Sequence, residues 1–110
     1  MTTPTFKDIL DTLPATTGIA AIVLLDAAGE PVTPPENQPG TAGSVRVYHA
    51  LIKQHGHLDR AAAQQGLALY AEHTADARLH PGKHPNIDRL LAIAEADAPG
   101  LRARIVLQDD

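Results

Sequence analysis

The sequence predicts an α+β fold, a small sheet of two or three strands packed against a block of three to four helices. Three observations predict it. The apolar, β-branched run 19–25 and the alternating run 101–107 have strand character. Between them lies sequence that is rich in alanine and repeats its apolar residues at helical spacing. At 110 residues the chain is read as a single domain, 1–110, with a core that is continuous but not deep.

A first helix is expected over 5–13, where Phe6, Ile9, Leu10 and Leu13 recur at helical spacing and Pro14 prevents continuation. The run 19–25 is apolar on both faces and reads as a buried central strand. Asp26-Ala27-Ala28-Gly29 supplies turn chemistry, with Gly29 able to take a positive φ. A return arm over 30–33 belongs at the sheet edge, because Pro31 has no ladder donor. Residues 33–43 are rich in Pro, Gly and Asn and read as a surface loop.

Ser44 is a plausible N-cap for a helix over 44–54, whose stripe is Val45, Tyr48, His49 and Ile52, with Gly56 as the stop. Residues 58–80 form strongly helical sequence, in which Gly66 is either a turn or tolerated within one long helix. Pro81-Gly82 ends it. Pro85 suits the first turn of a last helix over 85–97, with Ile87, Leu90, Leu91 and Ala94 on its core face. In 101–107, Leu101, Ala103, Ile105 and Leu107 face one way and Arg102 and Arg104 the other, the pattern of a half-buried strand.

Composition excludes several chemistries. Without cysteine there is no disulfide, thiolate metal site or cysteine nucleophile. Phe6, Tyr48 and Tyr70 are the only aromatics, too few for a base-stacking platform. The longest apolar run is about a third of a membrane span and has no signal-peptide flanks, so a cytoplasmic protein without a membrane role is expected. The net charge of −4 is uneven: −4 over 1–42, +2 over 43–89 and −2 over 90–110. The middle segment also holds His49, His55, His57, His73, His80 and His84, and it gains positive charge as imidazoles protonate.

On a continuous helix Asp76 and His80 are neighbours, and His84 follows a Pro-Gly turn that could return it to them. Asp76, His80 and His84 are thus a candidate set for a divalent metal such as zinc, although the spacing lacks the specificity of HExxH. His73 and Asp76 are a candidate acid–base pair. Ser44, the only serine, lacks a nucleophile elbow and reads as a cap. Two loops, 40–44 and 81–84, open helices beside Arg46 and Lys83 and could receive an anion, but neither matches a phosphate loop. Residues 56–67 resemble the start of a Fis-type helix-turn-helix, with the turn at Gly66-Leu67. The next residues lack base-reading side chains, and the acidic chain does not suit phosphates.

The runs 43–51, 71–78 and 81–90 resemble a small family of uncharacterised bacterial proteins, a domain of unknown function, and the likeness covers nearly the whole chain. The resemblance implies a bacterial, cytoplasmic protein. It carries no catalytic or binding residue onto these positions.

The sequence therefore predicts a non-catalytic binding or accessory domain without a cofactor. Its His/Arg-rich helical surface, with Arg46, Arg78, Lys83 and His84, would meet a protein partner or a small anion. The alternative is a metal-binding protein, which as an enzyme would be hydrolytic, using Asp76, His80 and His84. DNA binding through a helix-turn-helix comes third.

Overall fold

A computed structural model of the chain describes residues 5–13, 19–26, 28–31 and 42–107. The elements are α1 (Phe6–Leu10), β1 (Ile19–Leu25), α2 (Ala42–His55), α3 (Arg60–Leu69), α4 (Glu72–Leu79), α5 (Pro85–Glu95) and β2 (Arg102–Leu107). This is the α+β arrangement expected: two antiparallel strands beside a block of helices. No helix among the described residues is long and apolar enough to cross a membrane.

Helix α1 is short, ending at Leu10 and not at the expected residue 13, and one reciprocal cap fixes its start. Thr5 Oγ1 accepts from Asp8 N–H, and the Asp8 carboxylate accepts from Thr5 N–H. The strands run antiparallel, with Ile22 opposite Ile105, Val23 opposite Arg104 and Leu24 opposite Ala103, and with an irregularity between Ile19 and Ala21. Strand β1 is not the fully buried central strand its composition predicts. Ile22 and Leu24 are buried against the helices, while Val23 and Leu25 are only half-buried. An all-apolar strand still alternates, because successive side chains leave opposite faces of the pleat.

After β1 the Asp26 carboxylate accepts from the N–H groups of Ala28 and Glu30, and Gly29 takes φ +84°, as the turn reading requires. Pro31 forms an isolated bridge to Leu25. Residues 32 and 33 of the expected arm, and most of the 33–43 loop, lie outside the described residues.

Helix α2 buries Ser44, Val47, Tyr48 and Leu51, an i, i+3, i+4, i+7 stripe displaced by one residue from the one predicted. Val45, His49 and Ile52 flank it and are half-buried. Ser44 is therefore not the N-cap. The helix begins two residues earlier, and the Ser44 hydroxyl is buried and accepts a hydrogen bond from Tyr70 Oη at 2.8 Å.

The helix expected over 58–80 is two helices, and the break is at Tyr70-Ala71, not at Gly66. Ala71 adopts φ +51°, which ends one helix and re-aims the next. Thr74 Oγ1 then donates to Leu67 O at 2.6 Å, tying α4 back to the end of α3. Gly66 is buried in mid-helix for a packing reason. A Cβ there would meet Leu90 Cδ1 at 2.7 Å and Leu51 Cδ1 at 2.9 Å. The turn that a helix-turn-helix needs at Gly66-Leu67 is thus absent, because these residues form the face on which α2 and α5 pack.

The core joins Ile22 and Leu24 of β1 to Leu51 of α2, Leu67 of α3 and Ile87 and Leu90 of α5, with Leu58 beside them. Each fully buried leucine stabilises the fold by about 1.5–3 kcal/mol relative to exposure. Alanines at 62, 63, 77 and 94 allow the helices to approach closely.

Gly66→Ala sets a gain in helix propensity of about 1 kcal/mol against overpacking of about 1–3 kcal/mol. Leu51 and Leu90 are both fully buried, so overpacking prevails. Chemical denaturation is expected to show Gly66→Ala less stable by about 1 kcal/mol, and Gly66→Val less stable still.

Candidate functional site

The sharp turn at Ala71 brings the end of α3 and the first turn of α4 to face the start of α5. Between them lies a pocket of about 240 Å³, lined by Phe6, Ser44, Tyr70, His73, Lys83, His84 and the first turn of α5. Phe6 forms one wall, stacked on Tyr70 at 5.2 Å between ring centroids and edge-on to His73 at 5.0 Å. Helix α1 is held there because Glu72, at the start of α4, accepts from Phe6 N–H at 2.7 Å. The Glu72 carboxyl is held below its ordinary range by backbone hydrogen bonds, first from its own N–H and then from Phe6. The imidazoles of His73 and His84 lie 5.8 Å apart.

Asp76 anchors the loop that carries the basic groups. His84 Nε2 and Asp76 Oδ2 are 2.6 Å apart, Lys83 Nζ lies 3.3 Å from the same oxygen, and His80 Nε2 lies 3.8 Å from Oδ1. The hydrogen bond from His84, then that from Lys83, holds the Asp76 carboxyl below its ordinary range. Asp76 pairs with His84 and not with His73, whose ring packs against Phe6 and His84 instead. Helix α5 begins with Pro85 at its first position, and His84 precedes it without a side-chain cap.

A polar network buried behind the pocket fixes its floor. Tyr48 Oη donates to the Asn86 carbonyl at 2.6 Å, and Arg89 Nη1 donates to Tyr48 Oη at 2.8 Å and to Asn86 Oδ1 at 2.9 Å. Burial pushes the Tyr48 hydroxyl up to about 12 despite the nearby guanidinium. Burial likewise raises that of Tyr70, so both phenols remain neutral donors at physiological pH. Arg89 Nη2 and His49 Nδ1 are buried without a partner among the described residues. Sequence reasoning missed this network. The available signal was a tyrosine inside an apolar stripe, which must find a partner for its hydroxyl once buried.

The other predicted residues are dispersed. Arg46 donates to the Leu10 carbonyl at 3.2 Å and fastens α1 to α2. Arg78 is clamped by Glu95 through two bonds of 2.6 and 2.7 Å, which join α4 to the end of α5. His55 bonds Gln65 at 2.6 Å, and His57 lies 3.4 Å from Asp59. Lys83 and His84 alone of the four proposed surface residues meet, on Asp76. Among the described residues no group of three His, Asp or Glu side chains is arranged to hold a metal ion. Asp76 and His84 are already in direct hydrogen-bond contact, closer than two ligands of one zinc ion would be. Of the two candidate anion loops, Gly40 and Thr41 lie outside the described residues, and 81–84 borders the pocket.

The Arg78–Glu95 clamp has a pH signature. The hydrogen bond from Arg78, and then its charge, lowers the Glu95 carboxyl from its ordinary 4.5. A depressed carboxylate contributes stability that is present above its unfolded value and lost as pH falls through the folded one. Thermal melts should therefore show Glu95→Gln below the native chain in Tm at pH 7, with the gap closing as pH falls below about 4.3. A gap that persists unchanged in acid would show that Glu95 acts through packing and not charge.

No curated protein and no solved structure matches this sequence. Residues 6–104 match the family described as "Uncharacterized protein conserved in bacteria (DUF2322)". With the match spanning nearly all of the described fold, from α1 into β2, the chain belongs to this family of bacterial proteins of unknown function.

Proposed function

We propose that the chain is a cytoplasmic, single-domain, non-catalytic binding protein that holds a small anion, a carboxylate or phosphate group, in the pocket between Phe6, Tyr70 and the start of α5. The observation that carries the reading is the lining itself. One ammonium and two imidazoles border a pocket of about 240 Å³, at the first turn of an 11-residue helix. The positive end of a helix dipole favours an anion in that position. Lys83 and His84 lean on Asp76, which ties the turn after α4 back to that helix. Both can reorient their donors towards a competing anion, since Lys83 is well exposed and a lysine ammonium has three donors. The stacked Phe6 and Tyr70 rings give the pocket one apolar wall, which suits an anionic group carried on a small organic body.

The buried network behind the pocket supports binding over chemistry. Tyr48, Asn86 and Arg89 are bonded to one another, and Tyr70 is bonded to Ser44, so the hydroxyls are engaged in holding helices together. Of the four surface residues expected from sequence, Lys83 and His84 belong to this site. Arg46 and Arg78 are assigned to structural clamps.

Isothermal titration with inorganic phosphate and with small carboxylates is the direct test. Binding of at least one of them is expected, weakened about tenfold, or about 1.4 kcal/mol, by Lys83→Ala and by His84→Ala. Arg78→Ala should leave affinity unchanged. Equal affinity in all three variants would move the site elsewhere, and no binding of any probe would reject the anion reading.

A further inference from the structure

We infer that the groove at the start of β2 binds a short zwitterionic peptide with an apolar side chain, its carboxylate on Arg102 and its ammonium on Asp97. The groove shares no lining residue with the anion pocket, and the inference is independent of that reading.

The groove is built by a close approach of two segments. Leu58 and Leu101 exchange both backbone hydrogen bonds, at 2.7 and 2.9 Å, which fixes the chain before α3 against the start of β2. Gly100 permits this approach, since a Cβ there would lie 2.7 Å from Leu58 O. The space beside them measures about 710 Å³, within the range of about 300–1,000 Å³ usual for small-molecule sites. Its floor is apolar: Ile93 is buried, and Ala98, Leu101 and Ala103 pack on the core.

The backbone beside this floor offers both a donor and an acceptor. In an antiparallel ladder alternate residues direct both backbone groups to the same side. Leu101 directs its pair to Leu58 and away from β1, so Ala103, two residues on, directs its N–H and C=O the same way. Among the described residues neither group has a partner. A peptide unit carries the complementary acceptor and donor, and open sheet edges hold extended peptides through such pairs.

The rim carries both signs of charge. Arg60 donates to one carboxylate oxygen of Asp97, and His57 lies 3.4 Å from Asp59. Arg102 is exposed and has no carboxylate partner among the described residues. A ligand of one sign is repelled by part of this rim, while a zwitterion finds a partner for each of its ends. Asp59 is already engaged: it caps α3 by accepting from Ala62 N–H at 2.8 Å, a bond that holds its carboxyl below the ordinary range. Asp97 is the available carboxylate. Its side chain is well exposed, and Arg60 occupies only one of its two oxygens. Apolar floor, backbone edge and paired charges thus match the side chain, the amide and the two termini of a short peptide.

Isothermal titration of the full chain with the tripeptide alanyl-leucyl-alanine tests the inference. Binding is expected, and it should be about fivefold weaker for the N-acetylated and for the C-amidated form, the upper end for an exposed charge pair. Arg102→Gln should weaken the free tripeptide by the same factor, yet leave the amidated form bound as in the native chain. Asp97→Asn should do so for the free and the acetylated forms, since asparagine tolerates the φ of +56° at that position. Lys83→Ala, which alters the anion pocket, should change none of these affinities. In NMR spectra the Ala103 amide should shift on titration. The inference is overturned by no binding, or by equal affinity for free and blocked peptides. It fails equally if free leucine binds as tightly as the tripeptide, or if the shifts gather around Lys83 and leave Ala103 unmoved.

Discussion

The need to bury two tyrosines without stranding their hydroxyls constrains the rest of this structure. Tyr48 and Tyr70 are 0% and 3% exposed, and with Phe6 they are the only aromatic side chains the chain has. Each phenol must find a partner inside, since an unpaired buried hydroxyl costs about 1–3 kcal/mol. The partners come from other elements: Ser44 of α2 for Tyr70, and Asn86 and Arg89 of α5 for Tyr48. Those bonds set the rotation of α2 about its axis and hold the first turn of α5 against it. The pocket is what remains between the helices once both demands are met.

Small residues make this geometry attainable. Gly66 lets α3 lie against Leu51 and Leu90 at a distance where any Cβ would have to displace their methyl groups, and Ala62 and Ala63 continue the same close face. With helices this near, a core of aliphatic side chains fills without large aromatics. The break at Ala71 re-aims the chain, and α4 packs on α5 in its turn. Asp76 uses the resulting proximity, gathering Lys83 and His84 from the α4–α5 turn.

Much of the fold was legible in sequence because periodicity reports which face of an element is apolar. Strand β2 alternates as read, the last helix starts at Pro85, and the Asp26–Gly29 turn forms with Gly29 at positive φ. The readings that failed or stayed open share one cause. Gly66 is open to two readings from sequence, a turn because glycine disfavours helices or a residue tolerated within one, and close approach of Leu51 and Leu90 is what decides for the second. Ser44 looked like a cap because serine favours that position, yet a hydroxyl from a residue 26 positions away holds it in the interior. At Ala71 the break carried no sequence mark at all.

The site divides in the same way. Lys83, His84 and Asp76 could be selected from residue type and spacing, since they lie within one helix and the turn that follows it. Their pairing is another matter. Whether Asp76 met His73 or His84, and whether Arg78 lay in the site or in a clamp with Glu95, depended on the angle between α4 and α5. The sequence by itself determined the α+β class, the helices and strands with strong periodicity, and the concentration of basic and imidazole groups in the middle of the chain. Only the tertiary structure decided which helix breaks, which polar groups are buried and which of the charged residues meet. Those outcomes are set by contacts between residues far apart in the chain, and local propensity carries no information about such contacts.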